Sequence, residues 1–549
     1  MAATAAFAIV ILFSQPRVRG QSGSIGLSTV LADLASSAAA RALPAPLSPG
    51  QPRPLAFDSL PASVQDAMRA RHLRVDDRGG VQVIVLVTEV TDDTLRQLAS
   101  AGAVVEIADV VNRRVQARVP AAQLTATAAL PFVTFVRPPS YAVRAIGSVT
   151  TEGDSIIQAD IARQQFALDG TGVSVGVLSD GLKGLFATGC TTCGGAPNGP
   201  IATGDLPNAT GTRSSTGVLT SSSGGVTGQS FQANHDLEGL PPPSPPCGFP
   251  GAGAEGTALL EIVHDLAPGA RLSFANADTD LAFNQAVNSL AASNDVVVDD
   301  LGFFGFAYDG TSPVSVNTAS ALNNPANRIR TYITSVGNAA DGHYLGSYVP
   351  SGVDAASIAG VANPGHAHLF QATADTTDVL GLGSQPYDLI NLPNNGEVVI
   401  FLTWDDQFGH SGNNYDLYLV QQSTGRVVAR SIDVQAGAQD PVEAIDYTNR
   451  AGADAFRVMI QNVRDAAAPR AFSVFLFEPE CAQAGPQLLV NGHHERHNYN
   501  TATRSVSAQS DAGGSPVSVI SAGAICSASA AAAGVFAGSI APSESCNDR

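Results

Sequence analysis

Charge is scarce in this chain. Only 14% of its 549 residues are Asp, Glu, Lys or Arg, and 48 acids against 29 basic residues leave a net charge of −19. A phosphate backbone requires a basic face, so this balance argues against nucleic acid as a partner. The excess of acid serves solubility instead. Aromatic residues are also few, at 6%, and with so little charge the surface has to lean on Ser, Thr, Asn and Gln. No run reaches the length that a membrane-spanning helix requires, which predicts no membrane span. The apolar run Ala2–Phe13 has the length of a signal-peptide core instead, although it has no positive stretch before it and no clean A-x-A site after it. Residues 1–20 are therefore expected to direct export, giving a secreted or cell-envelope protein.

Cysteine is limited to Cys190, Cys193, Cys247, Cys481, Cys526 and Cys546. An even number in an exported chain permits disulfide bonds and leaves their pairing open. Cys190-x-x-Cys193 has no second CxxC to complete a zinc site, and no cofactor is expected.

What is abundant is glycine and proline, with 54 and 33 residues, implying many turns spread over about three or four domains. Residues 21–60 are rich in Pro, Ala and Ser and are expected to be linker. Residues 61–140 alternate strand and helix patterns. A short helix precedes the apolar strand Val81–Val87, Thr91 caps a helix that Gly102 ends, and strands follow at Val104–Ile107, Val115–Val119 and Phe132–Val136. This is a split β-α-β module. A new domain spans 150–362. It opens with Val173–Leu178, a continuous apolar strand of the kind that is buried on both faces. From Lys183 to Ala254 the chain is rich in Gly, Ser, Thr and Pro, which predicts a long functional or disordered loop.

Regular α/β alternation then follows, with strands at Arg271–Ala275, Asp295–Val298 and Arg330–Ser335 separated by helices. Right-handed crossovers between such strands build a doubly wound parallel sheet, and ligands bind such sheets at the C-terminal strand ends. Asp180, Asp299, Asp300 and Asn338 all lie at that edge. Residues 365–478 lose the helices and are expected to form an inserted β-sandwich. Val517–Cys526 returns to the buried-strand style within the last segment, 480–549.

The chemistry concentrates around Gly251–Ala275. A glycine-rich loop gives way to a helix at Glu255, which stops at Pro268-Gly269 and is followed by a strand. Helical spacing places Ala258, Leu259 and Ile262 on the side of Glu255. A strand ending in Asp180-Gly181, then Glu255-Gly256-Thr257 opening a helix closed by Ala267-Pro268-Gly269-Ala270, then a strand ending in Ser335-Val336-Gly337-Asn338, resembles the motif order of subtilisin-like serine peptidases. The resemblance implies a subtilisin-like sheet, a ferredoxin-like prodomain at 61–140, a polypeptide substrate and the chain's own propeptide as partner. In that family a strand-end Asp orients a His in an H-G-T motif, an Asn donates to the oxyanion, and a later Ser in G-T-S attacks. Carried over, Asp180 is the first acid, Asn338 the oxyanion donor, and Glu255 stands where His is expected.

The related sedolisins use Glu at that helix start, with an Asp four residues on; here that position is Leu259. Asp180, Asp299 and Asp300 remain the alternatives for the supporting acid. Glu261 and Asp265 lie on the far side of the helix and are expected to be solvated or structural. His264 sits nine residues along and outside any G-T context. The G-T-S at Gly310–Ser312 precedes Asn338 and is expected to be a turn before a helix. No G-T-S-x-x-x-P follows Asn338. The expectation is therefore a secreted Ser/Glu/Asp endopeptidase cut before its nucleophile segment, and inactive as it stands. The alternative is a non-catalytic exported binding protein on the same fold. A Glu base favours acidic pH. Asp405-Asp406 and Asn413–Asp416 offer hard oxygen ligands that would suit structural calcium, and equally a plain polar loop. Gly492–His497 lacks an H-E-x-x-H frame and is expected to be an exposed loop.

Overall fold

The computed structural model describes residues 26–37, 57–141 except 71, 77 and 78, then 154, 157–187, 192–238 except 208 and 223, 253–337 except 307–309, 342–477 except 375, and the short pieces 489–490, 493–494, 498–501 and 519–523.

The first unit holds α1 (Thr29–Ser36), α2 (Ala62–Arg69), β1 (Gly80–Val87), α3 (Asp92–Ser100), β2 (Val104–Asp109), β3 (Arg114–Pro120), α4 (Leu124–Ala128) and β4 (Val133–Arg137). Its antiparallel sheet has the order β2-β3-β1-β4. As expected, Thr91 caps α3, its hydroxyl accepting from the Thr94 N–H at 3.2 Å. Residues 21–60 are not all linker. Leu31 and Leu34 of α1 are fully buried in one core with Val64, Val83, Val85, Leu98 and Val115, because α1 presents an apolar face that the Pro- and Ala-rich composition around it conceals.

The second unit is built on a nine-stranded sheet. Its strands are β5 (Ser174–Ser179), β6 (Thr192–Cys193), β7 (Gly211–Arg213), β8 (Val218–Ser221), β9 (Thr227–Ser230), β10 (Arg271–Asn276), β11 (Val296–Asp299), β12 (Thr331–Ser335) and β13 (Ile520–Ala522). The order is β13-β12-β11-β5-β10-β9-β8-β7-β6. The strands from β13 to β9 run parallel, and β8, β7 and β6 continue antiparallel. Among the described residues three helices connect the parallel strands: α5 (Glu255–Leu266), α6 (Asp280–Ser293) and α7 (Pro313–Asn323). The chain steps from β5 outward to β10, then returns to β11 on the other flank of β5. That reversal is a topological switch point, where a crevice opens beyond the strand ends.

The stretch 183–254 is not a single loop. Its described part supplies β6–β9, whose polar, glycine-rich sequence hides them because they extend the sheet edge rather than enter its core. Residues 239–252, with the run of prolines, lie outside the described residues.

Residues 342–477 form two antiparallel sheets that share one core. One sheet orders the strands 343–347, 471–477, 397–404 and 442–448; the other contains 350–354, 366–368, 454–462, 415–421 and 427–431, with 388–392 paired to 454–462. Trp404, Tyr415, Phe456 and Phe472 fill the space between them and are essentially inaccessible. The boundary expected at 365 moves back to about 342, because His343–Ser347 pairs with Ala471–Phe477 and not with the parallel sheet.

Buried ion pairs fasten the three units together. Arg137 donates through Nε to Asp440 (2.8 Å) and through Nη2 to Asp280 (3.3 Å), and Arg114 donates to the other Asp440 oxygen at 3.2 Å. Leu281 packs among Ile84, Leu86 and Phe135, so the sheet of the first unit rests on the start of α6. Among the described residues no helix is long and apolar enough to cross a membrane.

Candidate active site

Helix α5 begins at Glu255, as the sequence predicts, but its N-cap residue Ala254 offers no side chain to the free N–H groups. Asp180 supplies the cap from another element. Its Oδ2 accepts from Gly253 N at 2.7 Å, and its Oδ1 from Glu255 N at 3.1 Å and, more weakly, Gly256 N at 3.4 Å. Asp180 is 1% exposed. N–H donors at a helix start offset a buried negative charge directly. Strand β5 reaches Ser179, so Asp180 follows its strand directly and no bulge is needed to bring it to the helix.

The next two residues of the Glu-Gly-Thr triplet fix the helix to the sheet. A Cβ on Gly256 would lie 2.3 Å from the Phe274 ring and 2.6 Å from the Gly181 carbonyl, so only glycine permits this approach. The Thr257 hydroxyl donates to the Lys183 carbonyl at 3.1 Å. The buried face of α5 is Gly256, Thr257 and Leu260. The spacing argument had favoured Ala258, Leu259 and Ile262; glycine carries no apolar signal, so the true face was invisible to it. Glu255 itself is half-buried in the first turn.

The other acids come from β11. Parallel pairing sets Asp299 opposite Leu178, which brings Asp300 level with Ser179. The Ser179 hydroxyl donates to Asp300 Oδ2 at 3.1 Å. Asp299 Oδ1 accepts from Thr334 Oγ1 at 3.0 Å and from Leu301 N at 3.2 Å. Burial pushes the Asp299 carboxyl up to about 7, against the pull of these donors and the nearby Tyr332 hydroxyl. Asp300 is driven well above the usual carboxylate range, first by burial and then by the charge of Glu255, with Asp299 and Asp180 adding to it. Four acids thus gather at the switch point, two of them poised to hold protons at neutral pH.

Ser179, Tyr332 and Thr334 went unnoticed in the sequence. Strand pairing selects them, and alternation within T-Y-I-T-S was the one available signal. Asn338 lies outside the described residues, which stop at Gly337 in this segment. Ser312 of the G-T-S is a helix cap, its hydroxyl accepting from Ser315 N at 3.2 Å. Glu261 and Asp265 sit further along α5, where burial, Asp205 and Asp265 raise the Glu261 carboxyl.

Among the described residues no group of three or more His, Cys, Asp or Glu is arranged to hold a metal ion. Asp406, considered for calcium, accepts from Ser411 Oγ at 2.8 Å and Asn413 Nδ2 at 2.8 Å and forms an ion pair with Arg470 at 2.8 Å, so a cation there would have to displace Arg470. The cysteines other than Cys193, and most of Gly492–His497, fall outside the described residues.

No protein-family model matches the sequence, and no curated protein matches it. Solved structures similar to it include the CspB protease of Clostridium perfringens, at 11% identity and a TM-score of 0.31 over 61% of this chain and 69% of that one. The epidermin leader peptide processing serine protease of Staphylococcus aureus aligns at 10% identity and a TM-score of 0.27 over 48% of this chain and 61% of that one. Fervidolysin of Fervidobacterium pennivorans, a keratinolytic enzyme related to subtilisin, aligns at 15% identity and a TM-score of 0.24 over 47% and 40%. Function has to be argued from the side chains at the site, because scaffolds at such distances host many chemistries.

Proposed function

We propose that this chain carries the base and oxyanion part of a secreted serine-type endopeptidase of the subtilisin/sedolisin clan, with Glu255 as general base and Asn338 as oxyanion donor, and with no attacking Ser assigned among its residues. Residues 61–140 act as a ferredoxin-like prodomain, and the two sheets of 342–477 as a β-sandwich insert. The substrate is a polypeptide. The observation that carries the reading is the placement of Glu255: it opens a helix docked through Asp180 at the switch point of a doubly wound sheet. A carboxylate held there can take a proton from an attacking hydroxyl, provided it is ionised in the resting site.

The test is casein cleavage between pH 3 and 8 by the protein purified from its own source, compared with Glu255→Gln. Loss of cleavage by at least about 100-fold, with unchanged circular dichroism, supports the assignment. Equal cleavage by both proteins removes Glu255 from the mechanism. The capping role of Ser312 favours a second reading, that of an exported binding protein using the same crevice. It predicts saturable casein binding without cleavage, unaffected by serine-directed inhibitors.

A further inference from the structure

We propose that Asp300, and not Asp180, is the positioning acid for Glu255: the two carboxyls share one proton, while Asp180 serves to seat the helix. This deepens the peptidase reading and rests on it for its catalytic meaning.

The two acids differ in how their oxygens are used. Both oxygens of Asp180 are engaged by backbone N–H groups of the loop and first turn that carry Glu255. These donors are fixed by the backbone, so Asp180 holds the helix end whatever Glu255 does. Asp300 has one oxygen anchored by Ser179, while Oδ1 is buried with no hydrogen-bond partner. An unpartnered buried carboxyl oxygen is costly unless it carries a proton or meets one. The register of β11 on β5 places Asp300 beside Ser179, and the residue after Ser179 bonds to the Glu255 N–H. Asp300 therefore stands at the start of α5.

The charged groups facing Asp300 are Glu255 from α5, Asp299 from its own strand and Asp180 from the end of β5. All three are acids, so none of these groups offsets a second negative charge on the pair. The low-cost state has the proton on Asp300 and the negative charge on Glu255, where a base requires it. The Ser179 hydroxyl fixes the acid and the acid orients the base. No bond is made or broken at this pair, which only holds and moves a proton. The pair takes up its second proton in acid and loses its last one in alkali.

Carbon-13 carboxyl titration of the full chain tests the pair without reference to cleavage. In the native protein the Glu255 resonance should move in two steps, since it reports both its own proton and its partner's. In Asp300→Asn it should move in one. Asp300→Ala separates orientation from charge: Asn retains a donor toward Glu255 and Ala does not. Where cleavage is measured, Asn should hold the rate within about tenfold and abolish the alkaline limb, while Ala should lower the rate by about 100-fold or more. Asp180→Asn should lower the melting temperature and leave the two-step titration in place. A single Glu255 step in the native protein overturns the pair. So does a two-step curve that survives Asp300→Asn but not Asp180→Asn. If the pair titrates as described but the native protein cleaves nothing at any pH, the peptidase reading fails and the proton-sharing pair stands.

Discussion

Two clusters of buried charge meet the doubly wound unit, one at its junction with the other units and one at its strand ends, and they are built on opposite principles. Where the first unit docks, Asp440 and Asp280 face Arg137 and Arg114 at 2.8–3.3 Å. Burial opposes the Arg137 charge, but Asp440 and Asp280 more than offset it, and its guanidinium is held firmly protonated. At the strand ends, hydroxyl and N–H donors meet Asp299 and Asp300, and burial drives both upward. Burial pulls Arg114 down against the charge of Asp440, while Arg137 keeps its charge and joins the surfaces. The second cluster gives its charges up to protons, and an acid that can exchange a proton near pH 7 is suited to chemistry. Asp180 lies between the two: backbone N–H groups of the loop and helix start do a cation's work.

Breaking the docking cluster should have the largest effect on stability. Arg137→Ala leaves Asp440 and Asp280 short of a counter-charge in a buried junction, at a cost of about 3–5 kcal/mol. Urea midpoints and protease susceptibility at neutral pH would show it; a loss below about 1 kcal/mol would mean that water reaches this junction.

The site cluster should show itself in pH dependence. Folding favours the protonated form of Asp299, so stability falls as pH rises from about 4, near the ordinary carboxyl value, to about 7. Taken alone, this residue contributes a fall of up to about 4 kcal/mol across that window, and nothing further above it. Asp299→Asn should flatten that part of the slope in denaturant midpoints measured from pH 4 to 8. A slope identical to the native one would show that the acid ionises freely.

A smaller change sharpens the intermediate case. Gly256→Ala puts a methyl group against the Phe274 ring and the Gly181 carbonyl, which should push α5 away from Asp180 and cost about 1–3 kcal/mol. Amide exchange at Glu255 and Gly256 should speed up in this variant. Unchanged exchange would mean that the strand end moves together with the helix.

Much of the frame was legible before any coordinates. The apolar run of β5, the start of α5 at Glu255 and the Thr91 cap all depend on residues within a turn or a strand of one another. The α1 helix and β6–β9 were missed because their pattern is faint without the surfaces they cover. Asp180 was named as an acid of the site, but its capping role was not, because the helix and its cap are 75 residues apart.

The sequence by itself determined which chemical groups are present and the order in which strands deliver them: an acid after β5, a Glu-Gly-Thr helix start and two acids after β11. It could not apportion tasks among the acids. That division follows from burial and from the number of donors each carboxyl finds, and both are set by strand register. Asp299 opposite Leu178 places Asp300 beside Ser179, and only the tertiary structure fixes that pairing. A one-residue slip would turn the same side chain to the other face of the sheet.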